Sequence, residues 1–161
     1  MTTAQTKRNF DVPHGELGKL FEKLPPQAIE AEMSLLGSMI LDWKVTGDVL
    51  QIIRGADDFY KPAHGAIYEV LVQLYDQNQP IDMVMLNQRM SDLGQLDAVG
   101  GTDYLIQLAE SVPTAASAMY YARIVREKAV LRRLIDAAGK ILYSAYTSPD
   151  PVATQLDLAE K

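Results

Sequence analysis

The longest uninterrupted pattern of apolar and polar positions covers residues 114–146, which contain no proline and a single glycine. Apolar or small residues recur there in alternating steps of three and four, the spacing of a helix that packs along a seam. The series is Tyr121, Ile124, Leu131, Ile135, Ala138, Leu142 and Ala145, and Lys128 interrupts it once. A second row lies one residue over at Val130, Leu134, Ala137 and Ile141.

This predicted helix, with Thr114 or Ser117 as its N-cap, is too long for the body that precedes it. About 32 helical residues span roughly 48 Å at 1.5 Å per residue. The roughly 110 preceding residues are expected to form a body about 34 Å across. The helix therefore overshoots its domain by two turns or more. Because apolar surface is unfavourable in water, the overshooting part needs a partner.

Shorter helical patterns fill the chain before this stretch. Proline, glycine or capping side chains bound them, and no segment shows the sustained alternation of a strand. The predicted class is therefore all-α, a compact bundle of short helices followed by a protruding antiparallel helical hairpin. The predicted short helices cover residues 27–41, 43–53, 61–77, 83–93 and, from Thr102 or Asp103, the stretch to about Ser111.

A further helix is predicted directly after the long one. Asp150 is a good N-cap, and Pro151 suits the first helical position. Val152, Leu156 and Ala159 then form a new apolar stripe. Because two helices joined by a few residues fold back on each other, this pair forms the predicted hairpin.

The pattern divides the chain into three regions. We expect a flexible N-terminal arm (1–24) with a short helix near 16–23, a helical bundle (25–112) and the hairpin (113–161). The sequence stops at Lys161 inside the second helix without a C-cap. We therefore expect the second arm of the hairpin to be cut short before a linker and a motor domain.

Composition narrows the possible functions. The chain is 48% hydrophobic and 22% charged, as in an ordinary globular protein. No apolar run is long enough to span a membrane, and the N-terminus lacks the apolar core of a secretory signal. The absence of cysteine excludes disulfides and thiolate sites and is compatible with the cytoplasm, where we place the protein. The net charge of −6 argues against a general nucleic-acid surface.

A basic cluster interrupts the acidic balance on the long helix. Residues 123–140 hold six basic and two acidic side chains. This cluster is the solvated face of the helix, a docking surface for an acidic partner or subunit, or a phosphate-binding strip, and the sequence leaves all three open. The basic residues are Arg123, Arg126, Lys128, Arg132, Arg133 and Lys140.

Motifs for nucleotide or metal chemistry are missing from the sequence. The only Gly-Lys pairs, at Gly18 and Gly139, lack the earlier glycine and the following hydroxyl residue of a phosphate loop. His14 and His64 are the only histidines, and without cysteine they make no metal-ligand set. We expect His64 to be a packing or capping residue.

Two pairs of neighbouring carboxylates lie at predicted helix starts. Glu30 with Glu32, and Asp57 with Asp58, fit capping and helix-dipole roles better than acid-base catalysis. We therefore predict no catalytic, cofactor-binding or metal residue. The residues alone indicate a helical interaction module.

Four segments carry a family pattern in consistent order. The first contains P-x-x-x-E-A-E-x-x-x-L-G and the second D-F-Y-x-x-x-H-x-x-I-Y. They are LPPQAIEAEMSLLGSMILD (24–42), DDFYKPAHGAIY (57–68), PIDMVMLNQRMSDLGQLDAVGGTDYLIQLA (80–109) and VPTAASAMYYARIVREKAVLRRLI (112–135). Together they resemble the N-terminal domain of the bacterial replicative DNA helicase, the DnaB family. The resemblance covers roughly residues 24–150 and thins over 1–23.

The resemblance implies a function that periodicity alone does not give. In such helicases a RecA-like motor domain uses ATP and Mg to drive a hexameric ring along single-stranded DNA and unwind the duplex. The N-terminal domains pair through their hairpins into a collar, a trimer of dimers. The collar docks the C-terminal domain of primase, and a helicase loader is a further implied partner. Because this chain lacks the motor, we expect it to assemble and dock without hydrolysing ATP, and no membrane partner is implied.

Two other functions stay open at this point. One is a free-standing helical adaptor or dimerisation scaffold outside replication. The other is a DNA-binding regulator that uses the basic cluster and binds DNA in a salt-dependent way.

The predicted site residues all lie on the long helix. The predicted subunit interface consists of Tyr121, Ile124, Leu131, Leu134, Ile135, Ala138 and Leu142. The possible docking face consists of Arg123, Arg126, Arg132 and Arg133.

Overall fold

The computed structural model describes residues 14–161, which form helices, turns and loops without a strand. The predicted all-α class is confirmed. Two short 3₁₀ turns, Trp43–Val45 and Ala56–Asp58, precede the third and fourth helices. The α-helices of this part of the chain are α1 (His14–Leu20), α2 (Ile29–Leu41), α3 (Thr46–Val49), α4 (Pro62–Asp76), α5 (Met83–Asp92), α6 (Leu96–Val99), α7 (Gly101–Glu110), α8 (Ala118–Thr147) and α9 (Val152–Ala159).

Helix α2 is the centre of the bundle and packs against α4, α7 and α8. Its residues Leu35, Leu36 and Met39 are completely buried. Helix α7 approaches so closely at Gly37 that an added Cβ would collide with the carbonyl oxygen of Leu108. A glycine is needed there because any side chain would push the two helices apart.

Capping signals in the sequence determine several helix ends. Pro62 lies in the first turn of α4, where its missing N–H costs nothing. The side chain of Asp82 caps α5 by accepting a hydrogen bond from the backbone N–H of Met85 at 2.8 Å. Gly94 ends the same unit with φ of +66°, a left-handed conformation that glycine adopts without strain.

Helix α8 belongs to the bundle over its first half and leaves it over its second. Ala118, Ala122, Val125 and Ala129 are its buried residues, and all four lie in the first half. The small alanine side chains let α8 lie close to α2, its main neighbour. With 30 residues the helix is roughly 45 Å long, so its second half extends beyond the core.

Some predicted bounds differ from the observed ones. The predicted helix 43–53 is a 3₁₀ turn followed by the four-residue α3, because Asp42 accepts a hydrogen bond from the N–H of Lys44 and caps the turn separately. Helix α6 was not predicted, since four residues are too few to show a helical period. Helix α8 begins at Ala118, and Ser117 precedes it without a side-chain capping bond.

Helices α1 and α9 lie at the two ends of the described residues. Residues 1–13 of the predicted arm lie outside the described residues, and α1 follows them with Leu20 and Phe21 exposed. At the other end, α9 contacts α8 and leaves Leu156 exposed. The predicted division at residue 113 stays a prediction, although Val125 of α8 belongs to the same core as the bundle.

Candidate functional site

The second half of α8 carries an exposed apolar surface that no other part of the described chain covers. Leu134 and Ile135 are 64% and 54% exposed, although leucine and isoleucine are usually buried. We call this surface the distal face. It consists of Val130, Leu131, Leu134, Ile135, Ala138, Ile141 and Leu142, all of which are exposed.

The distal face points away from the domain to which α8 belongs. Successive residues of a helix are turned by about 100° around its axis. Leu134 therefore lies on the opposite side of α8 from Val125, which is buried in the core. The helix has one apolar side for its own domain and another, further along, that its own domain does not cover.

The predicted interface residues divide between these two sides. Tyr121 and Ile124 are half-buried and pack against the domain core. They also line a shallow groove with Ala28 and Ile29 at the start of α2. The other five predicted residues belong to the distal face: Leu131, Leu134, Ile135, Ala138 and Leu142.

Two of the four predicted docking arginines bind a carboxylate of their own chain. Arg126 Nη1 and Arg133 Nη2 donate hydrogen bonds to Asp58 Oδ1 at 2.9 and 2.6 Å. The Asp58 side chain is completely buried, and its other oxygen accepts a hydrogen bond from the N–H of Arg54 at 2.8 Å. Because a buried carboxylate needs such partners, these arginines hold α8 on the domain.

Arg132 holds α8 from a second direction. Its guanidinium donates to the carbonyl oxygens of Pro26 and Asp58, each at 2.8 Å, and lies over the ring of Tyr60 at 5.6 Å. Arg123, the fourth predicted docking residue, is exposed. Because Arg126, Arg132 and Arg133 bind acceptors of their own chain, less of their charged surface is free for a partner, and a docking role for the group stays a prediction.

Sequence reasoning missed a buried polar network at the start of α4. The Glu32 carboxylate bonds to His64 Nδ1 at 2.6 Å and accepts from the backbone N–H of Tyr60. His64 Nε2 bonds to the hydroxyl of Tyr104, which also accepts from Lys61 Nζ at 3.3 Å. Glu32 and His64 are fully buried, so Glu32 serves the start of α4 rather than the dipole of its own helix. The partners are 28 or more residues apart, and no periodic signal could have paired them.

Burial also changes the acidity of one tyrosine near this network. Desolvation, followed by the nearby charges of Asp58 and Asp76, raises the pKa of Tyr68 to about 12. The side chain is almost fully buried and packs against the ring of Phe59. Tyr68 therefore contributes to the core as a neutral residue.

Two further features of the described residues concern metal binding and membrane crossing. Among residues 14–161, no three His, Asp or Glu side chains are placed to hold a metal ion. Within the same residues, no helix has the length and apolar character needed to cross a bilayer. A large uncovered apolar face on an overhanging helix is typical of a protein-interaction surface.

Comparison with known families makes the class specific. The family model described as DnaB-like helicase N terminal domain matches residues 24–127. The chain belongs to this family, and the resemblance noted from the four sequence segments is confirmed.

Curated relatives agree with the family assignment. The replicative DNA helicase DnaB of Geobacillus stearothermophilus is 41% identical over 146 residues, which is 90% of this chain. The replicative DNA helicase DnaC of Bacillus subtilis is 42% identical over 142 residues, 88% of this chain. The matched part is 32% and 31% of the length of these relatives, so the chain spans about a third of each.

Solved structures share the fold. The N-terminal domain of DnaB helicase from Mycobacterium tuberculosis has a TM-score of 0.81 and 41% identity, covering 85% of this chain and 96% of that chain. The N-terminal domain of DnaB helicase from Helicobacter pylori, described together with its interactions with primase, has a TM-score of 0.61 and 17% identity, covering 84% of this chain and all of that chain. At that identity the second match shows the fold alone.

Proposed function

We propose that this chain is the N-terminal assembly domain of a cytoplasmic, hexameric replicative DNA helicase. Copies of the domain pair through the distal face of α8, and the resulting trimer of dimers forms a collar. The collar docks primase through the C-terminal domain of that partner. Motor activity belongs to a longer protein, which uses ATP and Mg, translocates on single-stranded DNA and is placed by a loader.

The observation that carries this proposal is the exposure of the distal face. Six large apolar side chains lie on a helix that extends past its own core. Such a side chain gains roughly 1.5–3 kcal/mol between full exposure and full burial. Because these six are 37–64% exposed, about half of that gain per side chain stays unused in an isolated copy. Twofold pairing of the same face on two copies buries it without any other protein.

The kind of protein is supported by the relatives. Replicative helicases match this chain over most of its length at about 40% identity. The Helicobacter pylori domain, whose fold this chain shares, is described with its interactions with primase. No observation favours a scaffold outside replication.

Self-association is tested by sedimentation equilibrium of the chain at tens of micromolar. We expect wild-type dimers or larger assemblies and mainly monomer for Leu134→Asp, because the new charge would have to be desolvated in the seam. Val84→Asp is the matched control, since Val84 is 76% exposed on α5 and is outside the distal face. A wild-type monomer, or a Leu134→Asp variant that assembles like the wild type, contradicts the proposed seam.

Primase docking is tested by titrating the cognate primase C-terminal domain into the assembled wild-type chain. We expect saturable binding, monitored by calorimetry, and weaker binding to Leu134→Asp because the collar is then disassembled. An assembled wild-type chain that does not bind the primase domain contradicts this part of the proposal.

A further inference from the structure

The N-terminal helix α1 and the residues after it carry an apolar stripe with no cover. Leu17 and Leu20 lie three residues apart on α1, and Phe21 and Leu24 follow in the turn and the short segment after it. Their exposed fractions are 36%, 49%, 68% and 76%. Residues 14–24 contain two acidic and two basic side chains, so their charges balance. Any binding by this stretch would therefore depend on its apolar residues.

The linker after this stripe is fixed to α8. Pro26 follows Leu24 by two residues, and its carbonyl oxygen accepts the 2.8 Å hydrogen bond from Arg132. Two residues of extended chain reach about 7 Å. The stripe is therefore tethered beside the turn of α8 at which the distal face begins.

A groove on α8 lies on the same side as this tether. Gly139 follows Arg132 by seven residues, about two helical turns, and therefore lies on the same side of the helix. Ile135 precedes Gly139 by four residues, and Leu142 and Tyr146 follow it by three and seven. This spacing places all three side chains beside Gly139 on the helix surface. We call these four residues the Gly139 groove. Its three side chains are all exposed.

Gly139 has no explanation within the described part of its own chain. A glycine inside a helix costs about 1 kcal/mol relative to alanine. At Gly37 the close approach of α7 explains the glycine, but nothing lies within 4 Å of the position where a Cβ of Gly139 would stand. A segment from another molecule that approaches the backbone of α8 would give this glycine a purpose.

We infer that α1 of one copy docks in the Gly139 groove of a second copy. The inference rests on the proposed pairing through the distal face. If two antiparallel α8 helices pair about residue 136, near the middle of that face, Gly139 of one copy lies beside residue 133 of the other. The tether at Arg132 then holds the α1 stripe next to the groove of the partner. Both surfaces are exposed within one copy, and the tether at Arg132 favours a second copy as the occupant.

The first test measures the dimer dissociation constant by sedimentation equilibrium. The double variant Leu20→Ser/Phe21→Ser is expected to raise it roughly tenfold or more, about 1.4 kcal/mol, since apolar surface no longer covers the groove. Val84→Ser is the control and is expected to keep the wild-type constant. An unchanged constant overturns the inference. A lowered constant also overturns it, because it would mean that α1 covers the distal face of its own copy and competes with pairing.

Gly139→Leu tests the other side of the contact. It fills the groove and is expected to raise the dimer dissociation constant by a similar factor. Because leucine favours helix more than glycine does, the thermal stability of the dilute monomer should rise rather than fall. A variant that pairs as tightly as the wild type overturns the inference.

Disulfide trapping identifies the donor copy, since the chain has no cysteine of its own. A copy with Phe21→Cys and a larger tag is mixed with a copy carrying Tyr146→Cys and oxidised. We expect a mixed disulfide dimer in higher yield than with Val84→Cys in place of Phe21→Cys. Equal yields overturn the inference.

The seam and the arm can fail separately. If Leu134→Asp is monomeric while Leu20→Ser/Phe21→Ser pairs like the wild type, only the docking of α1 is wrong. If Leu134→Asp still pairs, the proposed seam is wrong, whatever the α1 variants do.

Discussion

Arg133 donates a hydrogen bond to Asp58 at 2.6 Å, although 75 residues separate the two in sequence. The Asp58 side chain has no exposure, whereas that of Arg133 is 48% exposed. Arg126 shares the same carboxylate, so the loop before α4 fixes the middle of α8. The overhanging half of α8 starts directly after this attachment, and its direction depends on it.

Asp58→Ala is expected to destabilise the chain by about 1–3 kcal/mol. The variant removes the acceptor of Arg126, Arg133 and the N–H of Arg54. The arginine side chains are partly exposed and can rehydrate, which keeps the cost below that of stranding a fully buried charge. Urea denaturation followed by circular dichroism measures the free energy of unfolding.

Asp57→Ala is the matched control for this change. Asp57 is the neighbouring carboxylate in the same 3₁₀ turn, but it is exposed. Its removal is expected to change the free energy of unfolding by about 0.5 kcal/mol or less. Equal effects of Asp57→Ala and Asp58→Ala would contradict the structural role of Asp58.

Tyr104→Phe is expected to cost about 1–2 kcal/mol, because it leaves the buried His64 Nε2 without its hydroxyl partner. The stacked rings of the two residues would remain, so the effect isolates the hydrogen bond. Thermal unfolding measures the loss. Tyr143→Phe, at a position that is 72% exposed, is the control and should leave the unfolding temperature unchanged. An equal loss in both variants would contradict a stabilising role for the hydrogen bond to His64.

Local signals predicted most of the fold. Pro62, Asp82 and Gly94 act at their predicted positions because a cap or a turn depends on residues only a few positions apart. The period and length of α8 predict the apolar residues of the distal face, and the structure shows these residues exposed. The period does not show that Ile124 packs on the core of its own domain, since both sides of the helix are apolar.

Long-range polar contacts were beyond the sequence. The sequence predicts capping and helix-dipole roles for Glu32 and Asp58, but each binds groups from distant segments. The sequence shows the charges of Arg126 and Arg132 but not their acceptors, Asp58 and the carbonyl of Pro26. A solvated or docking face is therefore the prediction for these residues. Pairing of this kind depends on how helices pack in space, which a one-dimensional period does not contain.

Tyr68→Phe is expected to weaken the pH dependence of stability in alkali. Its folded pKa of about 12 exceeds the ordinary value of 10.0, because burial and nearby carboxylates disfavour the phenolate. The stability contributed by the neutral side chain is complete below about pH 10 and is lost as pH rises towards 12, since the unfolded chain ionises first. Urea unfolding at several pH values between 9 and about 12 measures the slope.

The control for this change is Tyr120→Phe, which removes an exposed hydroxyl. We expect it to keep the wild-type slope in alkali. If Tyr68→Phe keeps that slope as well, Tyr68 is not the group responsible for the alkaline loss of stability.

The two glycines on helices α2 and α8 are expected to respond in opposite directions to the same substitution. Gly37→Ala should destabilise the chain by about 2–3 kcal/mol, because its Cβ would collide with the Leu108 carbonyl and lie 2.7 Å from Ser111 Oγ. Gly139→Ala should stabilise the monomer by roughly 0.5–1 kcal/mol, since the new methyl group meets nothing within 4 Å and alanine favours helix. Urea unfolding at a concentration low enough to keep the chain monomeric measures both. A loss of stability in Gly139→Ala would mean that its own chain already occupies the space beside Gly139.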